Sequence, residues 1–224
     1  MRICALIPAF NEASHIAGVV EGARQHVESV IVIDDGSSDG TAEAARNAGA
    51  FCIESPANRG KAAALRSGFT HARARNFTHA ITLDGDGQHL PQDIPALLRV
   101  ARETEADLVI GARSFDRALM PRARYYSNTI GSRWASALVG REIKDSQCGF
   151  RLFRLEALNR VKLRSQRYEF EMEALIKLGR AGCVIAHAPI HTVYDNGHAR
   201  SKMKPVLDTA RICLWSLAFR FLGV

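Results

Sequence analysis

Two carboxylates one residue apart follow an apolar run, and their spacing suits the binding of a divalent cation. Thr78 to Leu83 is a short apolar and β-branched run closed by glycines, which predicts a buried strand that ends at Asp84 and Asp86. Two such side chains repel each other unless a cation lies between them, and the neighbouring glycines let both turn toward one ion. Hard oxygen ligands favour Mg²⁺ or Mn²⁺, with positions left for water and a bound diphosphate. A solvated Asp-Gly turn is the alternative on these residues alone.

An alternation of strands and helices would place these carboxylates at one edge of a sheet. Helical patterns separate strand-like runs at 3–7, 29–33 and 51–53. Ser14 is a candidate N-cap of the first helix, and Asp39 or Thr41 of the second. The order is typical of βαβ units and predicts an α/β fold with a mostly parallel sheet flanked by helices. In such sheets ligands bind outside the carboxyl ends of the strands, where Asp84 lies.

Composition limits the class of protein and its partners. With 224 residues and 47% hydrophobic content, the chain is expected to form one domain with a tail. The 30 basic and 23 acidic residues give a charge of +7, which favours anionic partners such as phosphates, an acidic membrane surface or nucleic acid without choosing among them. Five widely spaced cysteines without a Cys-x-x-Cys pair are typical of reduced core residues in the cytosol. Neither a signal peptide nor a bilayer-spanning run of roughly 20 apolar residues is recognised.

Two basic segments could meet a phosphate. Lys61 opens an alanine-rich helical pattern, although the Walker spacing is absent and a solvated lysine in the first turn is an equal alternative. The segment from Arg113 to Arg124 contains further arginines and no apolar periodicity, and it is predicted to be a mobile loop.

The last residues form a separate predicted element. We divide the chain into a domain over 1–203 and a C-terminal amphipathic helix over 204–224. Aromatic side chains such as Trp215 and Phe219 alternate there with Arg211 and Arg220, which suits a helix in a membrane interface. A helix packed on the domain core would show the same periodicity, so both interpretations stay open.

Seven short segments, in order along nearly the whole chain, resemble the family 2 inverting glycosyltransferases, in the branch of the dolichyl-phosphate and polyprenyl-phosphate sugar transferases. The segments are 7–12 (IPAFNE), 32–41 (VIDDGSSDGT), 58–61 (NRGK), 84–89 (DGDGQH), 111–113 (GAR), 145–151 (DSQCGFR) and 201–202 (SK). Each is weak alone, and the ordered set is specific. Some relatives continue into transmembrane helices where this sequence ends, so peripheral contact or a separate membrane protein partner is the expected means of reaching a lipid.

The resemblance implies a glycosyltransferase A-type fold and a nucleotide-sugar donor, either UDP-linked or GDP-linked. It implies that the nucleoside lies against Pro8, Ala9, Glu12 and Asp35, and that Lys61 and Asp84 belong to the donor site. It further implies a metal, Mg²⁺ or Mn²⁺, held by Asp84, Asp86 and Gln88. Bound there, the metal would offset the charge that builds on the leaving diphosphate.

The acceptor decides what attacks the anomeric carbon. A sugar hydroxyl needs a carboxylate base, whereas a lipid phosphate is already ionised and needs cations beside it. Arg113 and Arg124 suit a phosphate, because guanidinium groups bind it bidentately. Asp145 is the candidate base or a residue that orients the acceptor loop, and a turn aspartate is its alternative.

These observations predict a metal-dependent inverting glycosyltransferase that moves a hexose from a nucleoside diphosphate to a polyprenyl or dolichyl phosphate. We expect it in the cytoplasm, peripheral at the inner face of the membrane, with no nucleic-acid partner. Two alternatives are the same fold acting on a hydroxyl acceptor of a glycan or lipid, and a nucleotide-binding module without turnover.

Overall fold

The computed structural model describes residues 1–113, 122–165, 169–191, 215–216 and 219. The strands are β1 (Ile3–Ala9), β2 (Ser29–Asp34), β3 (Phe51–Glu54), β4 (His79–Thr82), β5 (Leu108–Arg113), β6 (Arg151–Arg154) and β7 (Ile185–Ile190). The α-helices are α1 (Ile16–Arg24), α2 (Thr41–Asn47), α3 (Lys61–Ala74), α4 (Ile94–Thr104), α5 (Arg122–Val139) and α6 (Phe170–Arg180). Short 3₁₀ turns lie at Pro91–Asp93 and Ala157–Arg160.

The seven strands form one sheet in the order β3-β2-β1-β4-β6-β5-β7. The pairs β1 with β2, β1 with β4, β2 with β3 and β5 with β7 are parallel. Only β6, among the described strands, runs antiparallel to its neighbours β4 and β5. The prediction of a mostly parallel sheet flanked by helices is therefore confirmed, and the antiparallel strand divides the sheet into a four-stranded and a two-stranded parallel part.

Apolar runs become buried central strands because helices cover the sheet. β1 is buried from Ile3 to Ile7, and β2 from Val30 to Asp34. Such continuous burial explains why these runs show no polar alternation. Helix α3 approaches β2 closely at Gly68, where a Cβ would lie 2.8 Å from Ile33 Cδ1. The small residues of α3 thus let the helix pack closely on the sheet, and its first residue, Lys61, reaches Asp84 after β4.

The helix starts differ in part from those expected. α1 begins at Ile16 without a side-chain cap, so Ser14 is not the N-cap. At α2 the N-cap is Gly40, without a side-chain cap, so neither Asp39 nor Thr41 is the N-cap. Asp39 Oδ1 still accepts a hydrogen bond of 3.0 Å from the backbone N of Thr41. Strand β5 extends through Arg113, because its pairing with β7 continues to the pair of Arg113 and Ile190. The mobile loop predicted from Arg113 to Arg124 is wrong at both ends, because Arg113 ends β5 and residues 122–124 begin α5. Residues 114–121 lie outside the described residues.

The described part of the C-terminal segment packs on the domain. Ser216 Oγ accepts a hydrogen bond of 2.7 Å from Trp134 Nε1 in α5. Phe219 is buried, and Lys177 of α6 lies 5.6 Å from its ring centroid. Trp215 remains 44% exposed. The other residues of 204–224 lie outside the described residues, so the division at 203 stays a prediction. Within the described ranges, no helix combines the length and apolar character needed to cross a membrane.

Candidate active site

Asp35, directly after β2, holds the loop that precedes α3. Asp35 is buried, and its two carboxylate oxygens accept bonds of 2.9 Å from Arg59 N and 2.7 Å from Gly60 N. Gly60 has a φ of +93°, which other residues adopt only with strain. Asp35 therefore fixes the turn that precedes Lys61. Each of its carboxylate oxygens retains a second lone pair that can accept a further hydrogen bond. Contact of Asp35 with a nucleoside stays a prediction.

The segment after β1 is tied to the same place. The backbone O of Ala9 accepts a bond of 2.8 Å from Asp35 N, and Glu12 N donates one of 2.9 Å to Thr41 Oγ1. Asn11 adopts a φ of +55° and its N donates to Ser37 Oγ at 2.9 Å. Of the four residues expected at the nucleoside, the structure joins Ala9 to Asp35 directly, while Pro8 lies beside Ala9 in β1 and Glu12 is bonded to the start of α2.

Asp84 follows β4 and is paired with Lys61. Lys61 Nζ lies 2.5 Å from Asp84 Oδ1 and 2.8 Å from Glu171 Oε1. Burial opposes ionisation of Asp84, but the charge and hydrogen bond of Lys61, together with electrostatic interactions with His89 and Arg113, outweigh it, and the pKa of Asp84 lies below its usual value. Burial likewise opposes the charge of Lys61, and the two carboxylates hold its pKa above the usual value. Both groups are therefore charged at neutral pH.

Asp86 has a different environment from Asp84. Burial, and secondly the negative charge of Asp84, raise the pKa of Asp86 to about 6. Its Oδ1 accepts a bond of 3.0 Å from Gln88 N, and Gly87 between them has a φ of +75°. The site therefore concentrates negative charge that Lys61 alone does not balance.

The donor set fits a metal that keeps open coordination positions. Across the ranges that the structure describes, no group of three or more His, Cys, Asp or Glu residues could hold a metal ion. Asp84 and Asp86 would supply hard oxygen atoms from two side chains and would leave the remaining positions for water and diphosphate oxygens, as Mg²⁺ prefers. The contribution of Gln88 is a prediction, since the contact described for it is made by its backbone N.

His89 stabilises the same turn. It is not identified as a site residue from the sequence, although it ends the 84–89 motif. Its Nδ1 accepts a bond of 3.2 Å from Asp84 N, and its ring lies 5.3 Å from that of Phe150. Burial lowers the pKa of His89 to about 4, which the charge of Asp84 only partly opposes. A neutral ring can accept this hydrogen bond at physiological pH.

Arg113 and Asp145 form one bidentate pair. Arg113 Nε lies 2.6 Å from Asp145 Oδ2, and Nη2 lies 3.0 Å from Oδ1. Asp145 is completely buried, and its Oδ1 also accepts bonds from the backbone N of Gln147 and Cys148 at 3.2 and 3.1 Å. The two residues expected to act separately thus occupy one unit. Arg124 belongs to the first turn of α5, but its side chain lies outside the described part of the chain.

A loop before β6 closes over Lys61. Thr82 Oγ1 donates a bond of 2.7 Å to Gly149 O, and a Cβ on Gly149 would lie 2.7 Å from Lys61 Nζ. Buried Arg151 donates to the carbonyl oxygens of Ser146, Cys148 and Glu171 at 2.7, 2.8 and 2.6 Å. From the sequence, Gly149 and Arg151 are included only as parts of the 145–151 motif, and Glu171 is not identified as a site residue.

The mostly parallel α/β sheet, with Asp84, Asp86 and Lys61 at its carboxyl edge, has the architecture of the glycosyltransferase A-type fold. The profile of Glycosyl transferase family 2 matches residues 4–162. The chain belongs to this family and is a glycosyltransferase.

Named relatives confirm the resemblance to the polyprenyl-phosphate branch. An undecaprenyl-phosphate mannosyltransferase of Micrococcus luteus is 28% identical over 100% of this chain and 98% of its own length. A UDP-N-acetylglucosamine–dolichyl-phosphate N-acetylglucosaminyltransferase of Methanococcus voltae is 30% identical over 84% of each chain. The glucosyl-3-phosphoglycerate synthase of Mycobacterium tuberculosis, solved with Mn²⁺, UDP-glucose and phosphoglyceric acid, has a TM-score of 0.70 at 19% identity and covers 99% of this chain and 79% of its own. That structure supports the fold, and its bound metal agrees with divalent metal use in proteins of this fold.

Proposed function

We propose that the protein transfers a hexose from a nucleoside diphosphate to a polyprenyl or dolichyl phosphate, with inversion at the anomeric carbon. The observation that carries the proposal is the cluster of Asp84, Asp86 and Lys61 at the end of β4, beside the pair of Arg113 and Asp145. The positive charge of Arg113 acts on the pKa of Asp84, so the two groups belong to one electrostatic site. The named relatives that use lipid phosphates support this acceptor class.

The residues divide into a donor set and an acceptor set. Asp84 and Asp86 would hold Mg²⁺ or Mn²⁺, which when bound neutralises charge on the leaving diphosphate. Lys61 adds a fixed positive charge beside Asp84. Pro8, Ala9, Glu12 and Asp35 would orient the nucleoside at the ends of β1 and β2.

The acceptor oxygen forms its bond to the anomeric carbon while the bond to the diphosphate breaks. Attack opposite the leaving group inverts the configuration. A phosphate acceptor needs no base to remove a proton. Asp145 is buried and paired with Arg113, which suits the role of orienting that cation better than the role of a base. We therefore assign Arg113 to the acceptor phosphate, with Arg124 as its expected companion from α5, and Asp145 as the residue that positions Arg113.

A lipid acceptor requires contact with a membrane. Helix α5 contains no acidic residue, and Tyr126 and Ile130 on it are 49% and 58% exposed. Exposed apolar side chains next to arginines favour a bilayer interface. The C-terminal segment with Trp215 would add to that surface, at the cytoplasmic face. A membrane protein partner is the other means by which the site could meet its lipid.

A product assay tests the proposed reaction. UDP-linked and GDP-linked hexoses are offered with a short polyprenyl phosphate, with and without Mn²⁺, and products are identified by mass. The control acceptor is the same polyprenol without its phosphate. We expect a glycosylated polyprenyl phosphate that forms only with metal. Transfer to the polyprenol alone would support the hydroxyl-acceptor alternative, and binding of nucleotide without any turnover would support a binding module.

A further inference from the structure

Lys61 is shared by two carboxylates that come from distant elements. Its Nζ lies 2.5 Å from Asp84 Oδ1 after β4 and 2.8 Å from Glu171 Oε1 in the first turn of α6. The side chains of Lys61 and Glu171 are only 18% and 8% exposed. Gly149 packs against the same ammonium, and a Cβ there would lie 2.7 Å from Nζ, so a larger residue would displace Lys61. Lys61 therefore has little room to leave its two partners.

Glu171 is held in place independently of Lys61. Its backbone O accepts a bond of 2.6 Å from Arg151 Nη1, and Arg151 is buried and bound to two further carbonyl oxygens of the loop before β6. The backbone that carries the second carboxylate is thus fixed by the loop before β6.

A cation bound by Asp84 competes with Lys61 for the same carboxylate. If Asp84 were its sole partner, metal binding would leave a buried ammonium without a counterion, which is costly. With Glu171 present, the ammonium keeps one carboxylate while Asp84 shares its charge with the metal.

We propose that Glu171 is a positioning residue of the donor site, which retains Lys61 when Asp84 binds the divalent metal. This rests on the metal dependence in the proposed function. The role differs from direct attraction of the ion by Glu171, because it acts through Lys61 and disappears when Lys61 is removed.

The two residues have opposite expected effects on metal affinity. Lys61→Met removes the competitor for Asp84, so it strengthens Mn²⁺ binding to the donor-free protein while transfer is lost. Glu171→Gln commits Lys61 to Asp84 and weakens Mn²⁺ binding, by roughly 5- to 20-fold for a charge interaction at this depth. In the Lys61→Met background, Glu171→Gln should change the affinity much less.

The experiment measures Mn²⁺ binding to the full chain by electron paramagnetic resonance of the free ion, without donor and then with UDP or GDP. Glu173→Gln is the matched control, because Glu173 is a buried acid of the same helix that pairs with Lys177 at 2.8 Å. It should lower the thermal midpoint and leave Mn²⁺ affinity unchanged. Circular dichroism establishes that each variant is folded, and Glu171→Asp, which keeps the charge, should recover part of the affinity.

Kinetics supply a second readout. Glu171→Gln should raise the Mn²⁺ concentration needed for half-maximal transfer, and saturating Mn²⁺ should restore most of kcat. Equal losses of Mn²⁺ affinity in the wild-type and Lys61→Met backgrounds would mean that Glu171 acts on the ion directly and would overturn the proposal. Unchanged affinity in folded Glu171→Gln would overturn it too. Absence of Mn²⁺ binding to the wild type, even with nucleotide, would instead overturn the metal site of the proposed function and this role with it.

Discussion

The donor and acceptor halves of the site are built by different interactions. At the ends of β1 and β2, carboxylates accept hydrogen bonds from loop backbone, as Asp34 does from Ser37 N at 3.0 Å and Asp35 does from Gly60 N at 2.7 Å. Beside β5 and β6, ion pairs join separate elements, as Arg113 does with Asp145. The comparison teaches that hydrogen bonds from backbone to carboxylates shape the nucleoside loops of the donor half, whereas the acceptor half, like the pair of Lys61 and Asp84 in the donor half, depends on balanced buried charge.

The largest effect on the rate of transfer should come from Asp86, the carboxylate proposed to bind the metal. Asp86→Ala should reduce transfer by about 10³-fold or more, because loss of several kcal/mol of charge neutralisation slows the reaction tenfold for each 1.4 kcal/mol. The fold should survive, since removing a buried carboxylate with a raised pKa relieves a cost. Turnover and circular dichroism measure the two effects. Asp86→Asn, which keeps the shape, should be as inactive, and a nearly normal rate in either variant would refute the assignment.

Breaking the buried ion pair should cost stability as well as activity. Arg113→Gln leaves Asp145 buried without its cation, and such a loss destabilises by about 3–5 kcal/mol. The double variant Arg113→Gln with Asp145→Asn should regain most of that stability and still bind the acceptor poorly. Urea unfolding and the acceptor KM are the measurements. Full recovery of the acceptor KM in the double variant would show that Arg113 does not contact the acceptor.

A single change on the donor side should have a narrower effect. Asp35→Ala removes two charge-assisted bonds to the backbone before α3, each worth about 1.5–3 kcal/mol at most. We expect a raised donor KM and an unchanged acceptor KM. Asp39→Ala is the control, because Asp39 makes similar backbone bonds in an exposed loop. A larger change in the acceptor KM than in the donor KM would contradict the division of the site.

The smallest effect concerns pH and lies away from the chemistry. Burial, aided by the charge of Arg154, lowers the pKa of His79 to about 4. Folded protein keeps this ring neutral, whereas the unfolded chain binds a proton below about pH 6.5. The free energy of unfolding should therefore fall as pH drops from 6.5 toward 4, by on the order of 1–3 kcal/mol from this group. His79→Gln should flatten that slope in pH-dependent urea unfolding without changing either KM at neutral pH, and an unchanged slope would contradict the shift.

The sequence predicts the donor half of the site better than the acceptor half, for a physical reason. Paired carboxylates after an apolar strand, and glycines in the adjoining turns, are local signals, so the edge that carries Asp84 and Asp86 follows from the order of the residues alone. The bidentate pair of Arg113 and Asp145 does not, because nothing near either residue states which distant partner it meets.

Other features that the sequence did not predict have the same cause. Glu171 resembles an ordinary acidic residue at a helix N-terminus, and only the packing of α6 against the loop before β6 brings it to Lys61. The antiparallel direction of β6 is also outside the reach of periodicity, since a short buried strand has the same pattern in either direction. The order of the motifs indicates the family, whereas the contacts between motifs depend on how the chain packs.

The position of β6 also bears on the order in which the chain can fold during synthesis. Both of its partners, β4 and β5, precede it in sequence, so β4 has an unpaired edge until Arg151–Arg154 has left the ribosome. The first four strands can pair earlier, since β1 to β4 are complete by Thr82. A nascent chain arrested between β5 and β6 should therefore expose the strand that carries the carboxylates, and chaperone demand should be greatest in that interval.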